Sequence, residues 1–271
     1  MQLTTKEKNR LKSQYGEWAV ITGASSGIGL ELAKQLADAS FHLILHGRKR
    51  NNLQALEKTL KSKYSIEIRL LTSDISTPEG NQELIDATQD LDIGLFIGSA
   101  GFGTSGEFVQ NELITEVNML HVNCESLLVL SHHFGQRFVE KQKGGIILLS
   151  SMVAFQGTPF SANYAATKAY VQTLAEGLAV ELKSKGVDVL AAAPGPVTSG
   201  FSERANMRPN MSLQTKQVGV PILRALGKKT TVYPGFLTKL LIYSLQMVPR
   251  WAKIQIMKKV MSGMTKHQQN I

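Results

Sequence analysis

One stretch near the N-terminus, residues 17–29, limits the possible folds more than any other part of the chain. Its first part, Glu17 to Thr22, is a short apolar run rich in β-branched residues, which predicts a buried strand. Apolar residues then recur with helical spacing from Leu30 to Ala37. Three glycines separate the two patterns: Gly23, Gly27 and Gly29. A strand, a glycine turn and a helix in this order predict the opening of an α/β fold.

The glycine turn has the composition of a dinucleotide site. Gly23 can make the tight turn out of the strand, and Gly27 lets backbone approach a ligand without a Cβ in the way. Gly29 allows the helix to pack closely on the sheet. The unpaired N–H groups and the helix dipole at the helix start favour a pyrophosphate. An ordinary glycine-rich turn is the alternative, but the strand before it and the helix after it both favour a nucleotide site.

A chain of 271 residues is long enough for one α/β domain with a substantial core. We therefore predict a single domain over residues 1–271, with a polar N-terminal extension at 1–16. The one cysteine, Cys124, leaves no internal disulfide and is expected to be a packed core thiol, which suits a reducing, cytoplasmic compartment. Residues 1–14 lack the apolar centre of a signal peptide, and no apolar run of about 18 residues predicts a membrane span.

The formal charge of +9 is concentrated in the C-terminal quarter. Residues 203–271 hold 12 Lys and Arg residues against one acid, Glu203, whereas residues 1–202 have a balance of −2. The simplest explanation is a solvated helical face. An anionic substrate or an anionic membrane surface, with peripheral membrane contact, are the sharper explanations. Nucleic acid is not expected as a partner, because no zinc pattern, aromatic RNA-binding motif or recognition helix accompanies the charge.

Strand and helix patterns alternate along most of the chain. Further strands are predicted at 41–46, 66–72, 93–97, 145–150, 187–192 and 231–233. Helices are predicted at 51–62, from residue 78, and at 113–140, 162–185 and 215–226. This alternation predicts a doubly wound Rossmann fold with a mainly parallel, seven-stranded sheet and helices on both faces. The active site is then expected at the carboxyl ends of the strands.

The pattern loosens after Pro194 and Gly195. Residues 198–214 are polar, methionine-bearing and interrupted by proline, and we predict a mobile substrate loop there. Residues 234–271 are predicted to form a C-terminal helical extension divided by Pro249. Its first helix, near 236–248, is markedly apolar. Packing on the domain or on a second copy is the leading interpretation, a lid over the substrate is the second, and membrane contact is the third.

The residues after the second strand bear on the choice of cofactor. A nucleotide fold that prefers NAD usually has an acid there for the ribose 2′-hydroxyl, whereas this chain has Gly47 followed by Arg48, Lys49 and Arg50. A guanidinium favours a 2′-phosphate over a bare hydroxyl. The alternative is that these cations only begin a solvated helix. NADP(H) is the predicted cofactor.

Tyr164 and Lys168 lie four residues apart on a predicted helix, so the phenol and the ammonium share one face. A phenol has an unperturbed pKa of about 10, and a nearby cation favours its ionised form. The spacing alone is usually incidental. Two further residues strengthen the interpretation as a catalytic group: Ser151 at a strand end, and Asn123 on a helix expected to border the same cleft.

Together these motifs resemble the short-chain dehydrogenase/reductase family over nearly the whole chain. Residues 22–29 resemble its TGxxxGxG cofactor loop, and Tyr164 and Lys168 resemble its YxxxK motif. The family's NNAG reads Gly98-Ser99-Ala100-Gly101 here, so the hydrogen bonds of the missing asparagines must come from Ser99, water or elsewhere. The resemblance implies these cofactor-binding residues: Gly23, Ser25, Ser26, Gly27, Ile28, Gly29, Arg48, Asp74, Ile75, Ala100, Gly101, Tyr164, Lys168, Pro194, Gly195, Val197 and Ser199.

The resemblance also implies a mechanism. Tyr164 would give or take the proton on the substrate oxygen while the nicotinamide moves a hydride, and Ser151 would hydrogen-bond that oxygen. Lys168 would hold the nicotinamide ribose and lower the pKa of Tyr164, and Asn123 would place a water in a proton relay to Lys168.

The apolar C-terminal helix and the methionines of the substrate loop indicate the kind of substrate. We expect a bulky apolar or lipid-like ketone or a 3-oxoacyl compound, reduced to the alcohol, and a homo-oligomeric enzyme of two or four subunits. A non-catalytic nucleotide-sensing module and a membrane-surface binding module on the same fold are the alternatives, because a fold alone does not define a function.

Overall fold

The computed structural model describes residues 2–209 and 211–268. Met1, Asn210 and residues 269–271, which belong to the predicted segments 1–16, 198–214 and 234–271, lie outside the described residues. Numbered in chain order, the strands are β1 Trp18–Thr22, β2 His42–His46, β3 Ile68–Leu71, β4 Ile93–Gly98, β5 Gly144–Leu149, β6 Val187–Ala192, β7 Val197–Thr198, β8 Leu213–Gln214 and β9 Thr231–Val232.

Seven of these strands form one sheet in the order β3-β2-β1-β4-β5-β6-β9, and every pairing in it is parallel. The order reverses between β1 and β4, which is the switch point where doubly wound sheets bind ligands. The predicted α/β fold with a seven-stranded parallel sheet is therefore confirmed. The helices are α1 Thr5–Tyr15, α2 Gly27–Asp38, α3 Arg50–Lys61, α4 Pro78–Asp86, α5 Leu113–Leu120, α6 Ser126–Glu140, α7 Ala162–Glu181, α8 Phe201–Arg204, α9 Thr215–Ala225, α10 Phe236–Gln246 and α11 Arg250–Thr265.

The sheet separates two hydrophobic cores, because successive strand residues point to opposite faces. Ile21 of β1 lies in the core with Leu32 of α2. Its neighbour Val20 lies in the other core with Leu130 and Phe134 of α6. Helices cover both faces of the sheet, so the functional residues are left to the loops at the strand ends.

The predicted polar N-terminal extension contains a docked helix, α1, which the sequence reading missed. Thr4 and Glu7 form a capping box at its start. Leu11 and Tyr15 are fully buried, and the Tyr15 hydroxyl donates a hydrogen bond of 2.9 Å to the carboxylate of Asp188 in β6. Helix α1 therefore packs on the core at the amino ends of the strands, opposite to the ligand-binding loops.

The helix predicted over 113–140 is interrupted by one wide turn, a π-helix at His121–Glu125. The run Leu113–Glu140 is long and apolar enough to cross a membrane, with a mean hydropathy of 1.2, although no such span was predicted. Core helices of globular proteins pass the same test. Leu130, Phe134 and Phe138 of this run are buried against the sheet.

The predicted substrate loop contains regular structure. Its two ends pair as a short parallel ladder, with Val197 opposite Leu213, and α8 lies between them. The end of α11 holds the middle of this loop, because the Arg208 N–H donates to the Met264 carbonyl at 3.0 Å.

Candidate active site

A cavity of about 1010 Å³ lies at the carboxyl ends of the strands. Loops that follow β1, β2, β4, β5 and β6 all contribute to its lining. Its volume is at the upper end of the usual range for ligand sites, roughly 300–1,000 Å³. Every site residue predicted from the sequence lines this cavity except Gly29 and Asn123.

The start of α2 is shaped for a ligand that lies against backbone. Gly27 has a φ of +60°, and a Cβ there would lie 3.0 Å from the Cβ of Ser199. A Cβ on Gly29 would lie 2.5 Å from the Gly23 carbonyl oxygen, so only glycine lets α2 begin this close to the turn. Ser26 at the N-cap makes no side-chain hydrogen bond to the first turn, which leaves the first N–H groups of α2 available. These features fit a pyrophosphate at this helix start.

The far end of the cavity, beyond β2, is positively charged. Arg48 and Lys49 line it, whereas Arg50 begins α3 and is not among the lining residues. Asp74 accepts hydrogen bonds from the backbone N–H and the hydroxyl of Ser76, at 3.0 and 2.8 Å. These bonds, together with the nearby charge of Arg48, hold the pKa of Asp74 below its usual value. The carboxylate is therefore ionised at neutral pH, next to a guanidinium that faces the cavity.

Ser151, Tyr164 and Lys168 meet between the two ends of the cavity. Tyr164 and Lys168 lie one turn apart on α7, and Ser151 follows β5; all three side chains are buried. The ring of Phe201 packs on the ring of Tyr164, with 5.3 Å between their centroids. The sequence did not single out Phe201, which limits the access of water to the phenol from the side of the substrate loop.

Burial dominates the ionisation of these groups. It raises the pKa of Tyr164 to about 12, opposed by a hydrogen bond with Ser151, and it lowers the pKa of Lys168 to about 8. The Lys168 ammonium donates a hydrogen bond of 2.8 Å to the Leu149 carbonyl and lies 5.8 Å from the centre of the Tyr164 ring. Burial is the largest influence on the phenol, and the expected lowering of its pKa by Lys168 stays a prediction. The phenol keeps its proton at neutral pH.

Asn123 lies behind the cavity wall, inside the π turn, and its side chain is fully buried. Its amide oxygen accepts a hydrogen bond of 3.1 Å from the Phe102 N–H, and its amide nitrogen donates to the Phe102 carbonyl and the Thr167 hydroxyl. A Cβ on Gly101 would lie 3.0 Å from this amide oxygen and 3.5 Å from the Lys168 ammonium. Asn123 thus joins the loop after β4 to α7 close to Lys168. A water relay through Asn123 stays a prediction.

Thr22, at the end of β1, holds the loop after β4 that lacks the family's two asparagines. Its hydroxyl accepts hydrogen bonds of 3.1 Å from the N–H groups of both Ser99 and Ala100. Gly98 is required by packing, since a Cβ there would collide with the Leu127 side chain. Thr22 belongs to the glycine motif, but the residue pattern alone indicates no role for its hydroxyl.

Beyond Tyr164, apolar side chains from the substrate loop, α10 and α11 wall the cavity: Phe201, Met207, Met211, Leu237, Leu241, Leu245, Val248, Met257, Met261 and Met264. The leading prediction for the 236–248 helix is packing on the domain or on a second copy. Within the chain only Thr238 and Ile242 of α10 are buried, so the domain covers a small part of this helix, and packing on a second copy stays a prediction. One side of α10 lines the cavity and the other is exposed. The α11 methionines were missed, although spacings of four and three residues place them on one helix face.

A glycine turn at a helix start, with a buried tyrosine and lysine beside it on a doubly wound sheet, defines the class of dinucleotide-dependent oxidoreductases. The family model described as short chain dehydrogenase matches residues 17–210. The chain belongs to the short-chain dehydrogenase family.

Relatives and solved structures agree with this assignment. A 7β-hydroxysteroid dehydrogenase of Clostridium sardiniense is 32% identical over 232 residues, which are 84% of this chain and 89% of that protein. A structure solved to study 7β-hydroxysteroid dehydrogenase stereoselectivity has a TM-score of 0.84 and 25% identity, over 91% of this chain and 98% of that one. A short-chain dehydrogenase from Sphingobium yanoikuyae, solved with NADPH, has a TM-score of 0.79 and 26% identity, over 89% of this chain and 94% of that one. This chain is therefore an oxidoreductase that acts on CH–OH groups.

Proposed function

We propose that this chain is an NADP(H)-dependent oxidoreductase that reduces the carbonyl of a bulky apolar or lipid-like ketone or 3-oxoacyl compound. The observation that carries the proposal is the position of Tyr164. It lies in one continuous cavity, between the glycine turn at the start of α2 and an apolar half walled by leucines and methionines. A proton donor in this position can serve a substrate whose apolar body fills that half.

The chain offers a partner for each part of the cofactor. The backbone N–H groups at Gly27 and Ile28 would bind the pyrophosphate, and Arg48 and Lys49 would bind a 2′-phosphate. Asp74 would contact the adenine, and Lys168 the nicotinamide ribose. When bound, the cofactor supplies the hydride. The NADPH complex of the Sphingobium yanoikuyae structure supports the choice of a phosphorylated cofactor.

The protein groups supply the proton and hold the oxygen. Tyr164, protonated at neutral pH because its pKa is about 12, donates its proton to the oxygen of the ketone. The Ser151 hydroxyl donates a hydrogen bond to the same oxygen and stabilises the negative charge that develops there. Phe201, which packs on the phenol, excludes water from the reacting atoms.

The walls of the cavity support a large apolar substrate. Thioether and isobutyl side chains adapt to irregular apolar shapes without offering hydrogen bonds. Arg204 and Lys259 line the cavity together with one acid, Glu203, and the net positive charge of these three residues suits an anionic group on the substrate. The hydroxysteroid named for the Clostridium sardiniense relative is a bulky, largely apolar molecule and supports the same class.

Consumption of NADPH with a panel of ketones tests the proposal. Steroid ketones and medium- or long-chain 3-oxoacyl thioesters should be reduced with a higher kcat/KM than acetone or butanone. In Tyr164→Phe, which keeps the ring, kcat should fall by about 10²–10⁴ while NADPH still binds. Near-full activity in that variant, or turnover restricted to small ketones, would contradict the proposal.

A further inference from the structure

The side of α10 that faces away from the cavity carries a row of large apolar side chains. The members are Phe236, Leu240, Tyr243, Met247 and, at the start of α11, Trp251. They are between 53% and 88% exposed, and none of them lines the cavity. Successive members are four, three, four and four residues apart, which keeps the three on α10 and Met247 at its C-cap along one side of that helix. We name these five residues the outer row.

The segment that carries the outer row is rich in cations and has no acids. Residues 236–268 contain Lys239, Arg250, Lys253, Lys258, Lys259 and Lys266 and no Asp or Glu. Five large apolar side chains exposed in one row, in a segment rich in cations, are uncommon on surfaces that contact only water. The combination therefore indicates a partner that is apolar in its interior and negatively charged at its surface.

A second copy of the chain does not meet this requirement. A twofold dimer brings the same patch of both copies together, so the cations of one α10–α11 segment would face those of the other. Like charges repel, and no acid in the segment offsets the repulsion. An anionic lipid bilayer offers both parts: headgroups for the lysines and an acyl boundary for the rings and the thioether.

Helix α11, which follows the outer row in the chain, has residues that are both exposed and part of the cavity wall. Ile256 and Val260 of α11 line the cavity and are also exposed, by 43% and 42%. Lys259, between them in sequence, lines the cavity as well. The inner side of α10 forms the wall at this point through Leu237 and Leu241.

We propose that the outer row docks this face of the protein on an anionic lipid bilayer. The aromatic and apolar side chains enter the headgroup–acyl boundary, and the surrounding lysines and Arg250 lie at the level of the anionic headgroups. The docking does not depend on catalysis, so its test is independent of the proposed reaction.

The two tryptophans of the chain provide an internal probe. Trp18 is buried in β1, whereas Trp251 is 71% exposed in the outer row. Vesicles that contain phosphatidylglycerol should shift the tryptophan emission to shorter wavelength and should co-sediment with the protein at low salt. Vesicles of phosphatidylcholine alone should do neither. Binding should weaken at about 1 M salt, where the screening length is only about 3 Å.

Two variants and one control assign the signal to the outer row. Met247→Glu should lower the partition coefficient for anionic vesicles about tenfold or more, because it replaces an inserting apolar group with an anion. Val109→Glu, at an equally exposed apolar residue (82%) outside the outer row, should leave binding unchanged. Trp251→Phe should remove the blue shift and keep co-sedimentation. Unfolding in urea shows that each variant is folded.

Three outcomes would overturn the proposal: no binding to anionic vesicles at low salt, equal binding to neutral vesicles, or unchanged binding of Met247→Glu.

Discussion

Arg48 and Arg50 are two residues apart but have different surroundings, and this difference makes a controlled test of cofactor choice. Arg48 lines the cavity beside Asp74, whereas Arg50 is the first residue of α3 and does not. Arg48→Ala should raise the KM for NADPH by about 10- to 100-fold, since a hydrogen-bonded charge contributes about 1.5–3 kcal/mol, and should change the KM for NADH little. Arg50→Ala should change neither. If the wild-type protein used NADH with the same efficiency as NADPH, the assignment of Arg48 to the 2′-phosphate would be wrong.

Lys168 is expected to lower the stability of the cofactor-free protein. Its pKa is about 8 in the folded chain and about 10.4 in an unfolded one. Between these values the unfolded state binds more protons, so the free energy of unfolding rises with pH from about 8 to about 10. Below about pH 8 the buried Lys168 ammonium lowers the free energy of unfolding by its full desolvation penalty. The Lys168→Met protein does not have this penalty.

Lys168→Met should therefore raise the free energy of unfolding at pH 7 by about 1–3 kcal/mol while it abolishes turnover. The gain is less than the full pKa difference implies, because the Leu149 carbonyl loses its hydrogen bond. Urea unfolding from pH 6.5 to 10 measures the difference, which should narrow above pH 8. Lys216→Met, at an exposed lysine of α9, should change stability by less than about 0.5 kcal/mol. A less stable Lys168→Met protein at pH 7 would contradict this account.

At the scale of elements, Thr22 connects the end of β1 to the loop after β4. Its hydroxyl makes this connection by accepting two hydrogen bonds. Thr22→Val keeps the shape of the side chain but leaves the N–H groups of Ser99 and Ala100 without their acceptor. Each unsatisfied buried N–H costs about 1–3 kcal/mol, so we expect a loss of about 2–4 kcal/mol in unfolding free energy.

Thr22→Ser is the matched control for this prediction. It keeps the hydroxyl and should lose less than about 1 kcal/mol. Faster amide hydrogen exchange at Ser99 and Ala100 in the valine variant would locate the effect in the loop. Equal stability of the valine and serine variants would show that the hydroxyl is not the connection.

The sequence predicts elements well where one residue pattern decides the structure. The strand at 187–192 and the helices that start at 78, 162 and 215 begin where they are predicted, because their apolar periodicity agrees with their burial in one core. The glycine turn is also predicted, since few conformations satisfy glycines at 23, 27 and 29 between a strand and a helix.

Elements that depend on distant contacts are not predicted by local pattern. Helix α1 is polar by composition, and only the fold supplies Asp188 for Tyr15 and the Leu226 carbonyl for Arg10. The π turn at His121–Glu125 is satisfied in part by Ser126, whose hydroxyl donates to the Val122 carbonyl at 2.7 Å. Apolar periodicity does not distinguish such a turn from ordinary helix.

The site residues follow the same division. Tyr164, Lys168 and Ser151 are predicted from the sequence because they occur together and resemble a family motif, whereas Phe201 and the α11 methionines belong to a wall that many apolar sequences could build. The sequence gives the charge of Lys168 but not the depth at which the phenol of Tyr164 is buried, and that burial raises the pKa of the phenol.

On the scale of the whole molecule, two helical segments each expose a row of apolar side chains. The two segments differ in the charge of the residues around the row. Leu113, Val117, Leu120 and Leu128 are exposed along the helix that contains the π turn, at intervals of four, three and eight residues. The two acids among residues 113–136 have partners: Glu116 accepts from Asn163, and Glu125 pairs with His121. This row can therefore face a copy of itself without the like-charge repulsion that surrounds the outer row.

We expect this second row to form the contact of a homodimer. In a twofold dimer each substitution occurs twice at the interface, so Leu113→Glu combined with Leu128→Glu places four buried negative charges across the symmetry axis. The double variant should weaken dimerisation at least about a hundredfold, which corresponds to about 2.8 kcal/mol. Sedimentation equilibrium over a range of protein concentrations measures it. Met247→Glu adds a charge to the outer row and should leave the dimer intact, which separates the two surfaces. A monomeric wild-type protein, or a double variant that still dimerises with unchanged affinity, would show that the row at 113–128 is not the contact between subunits.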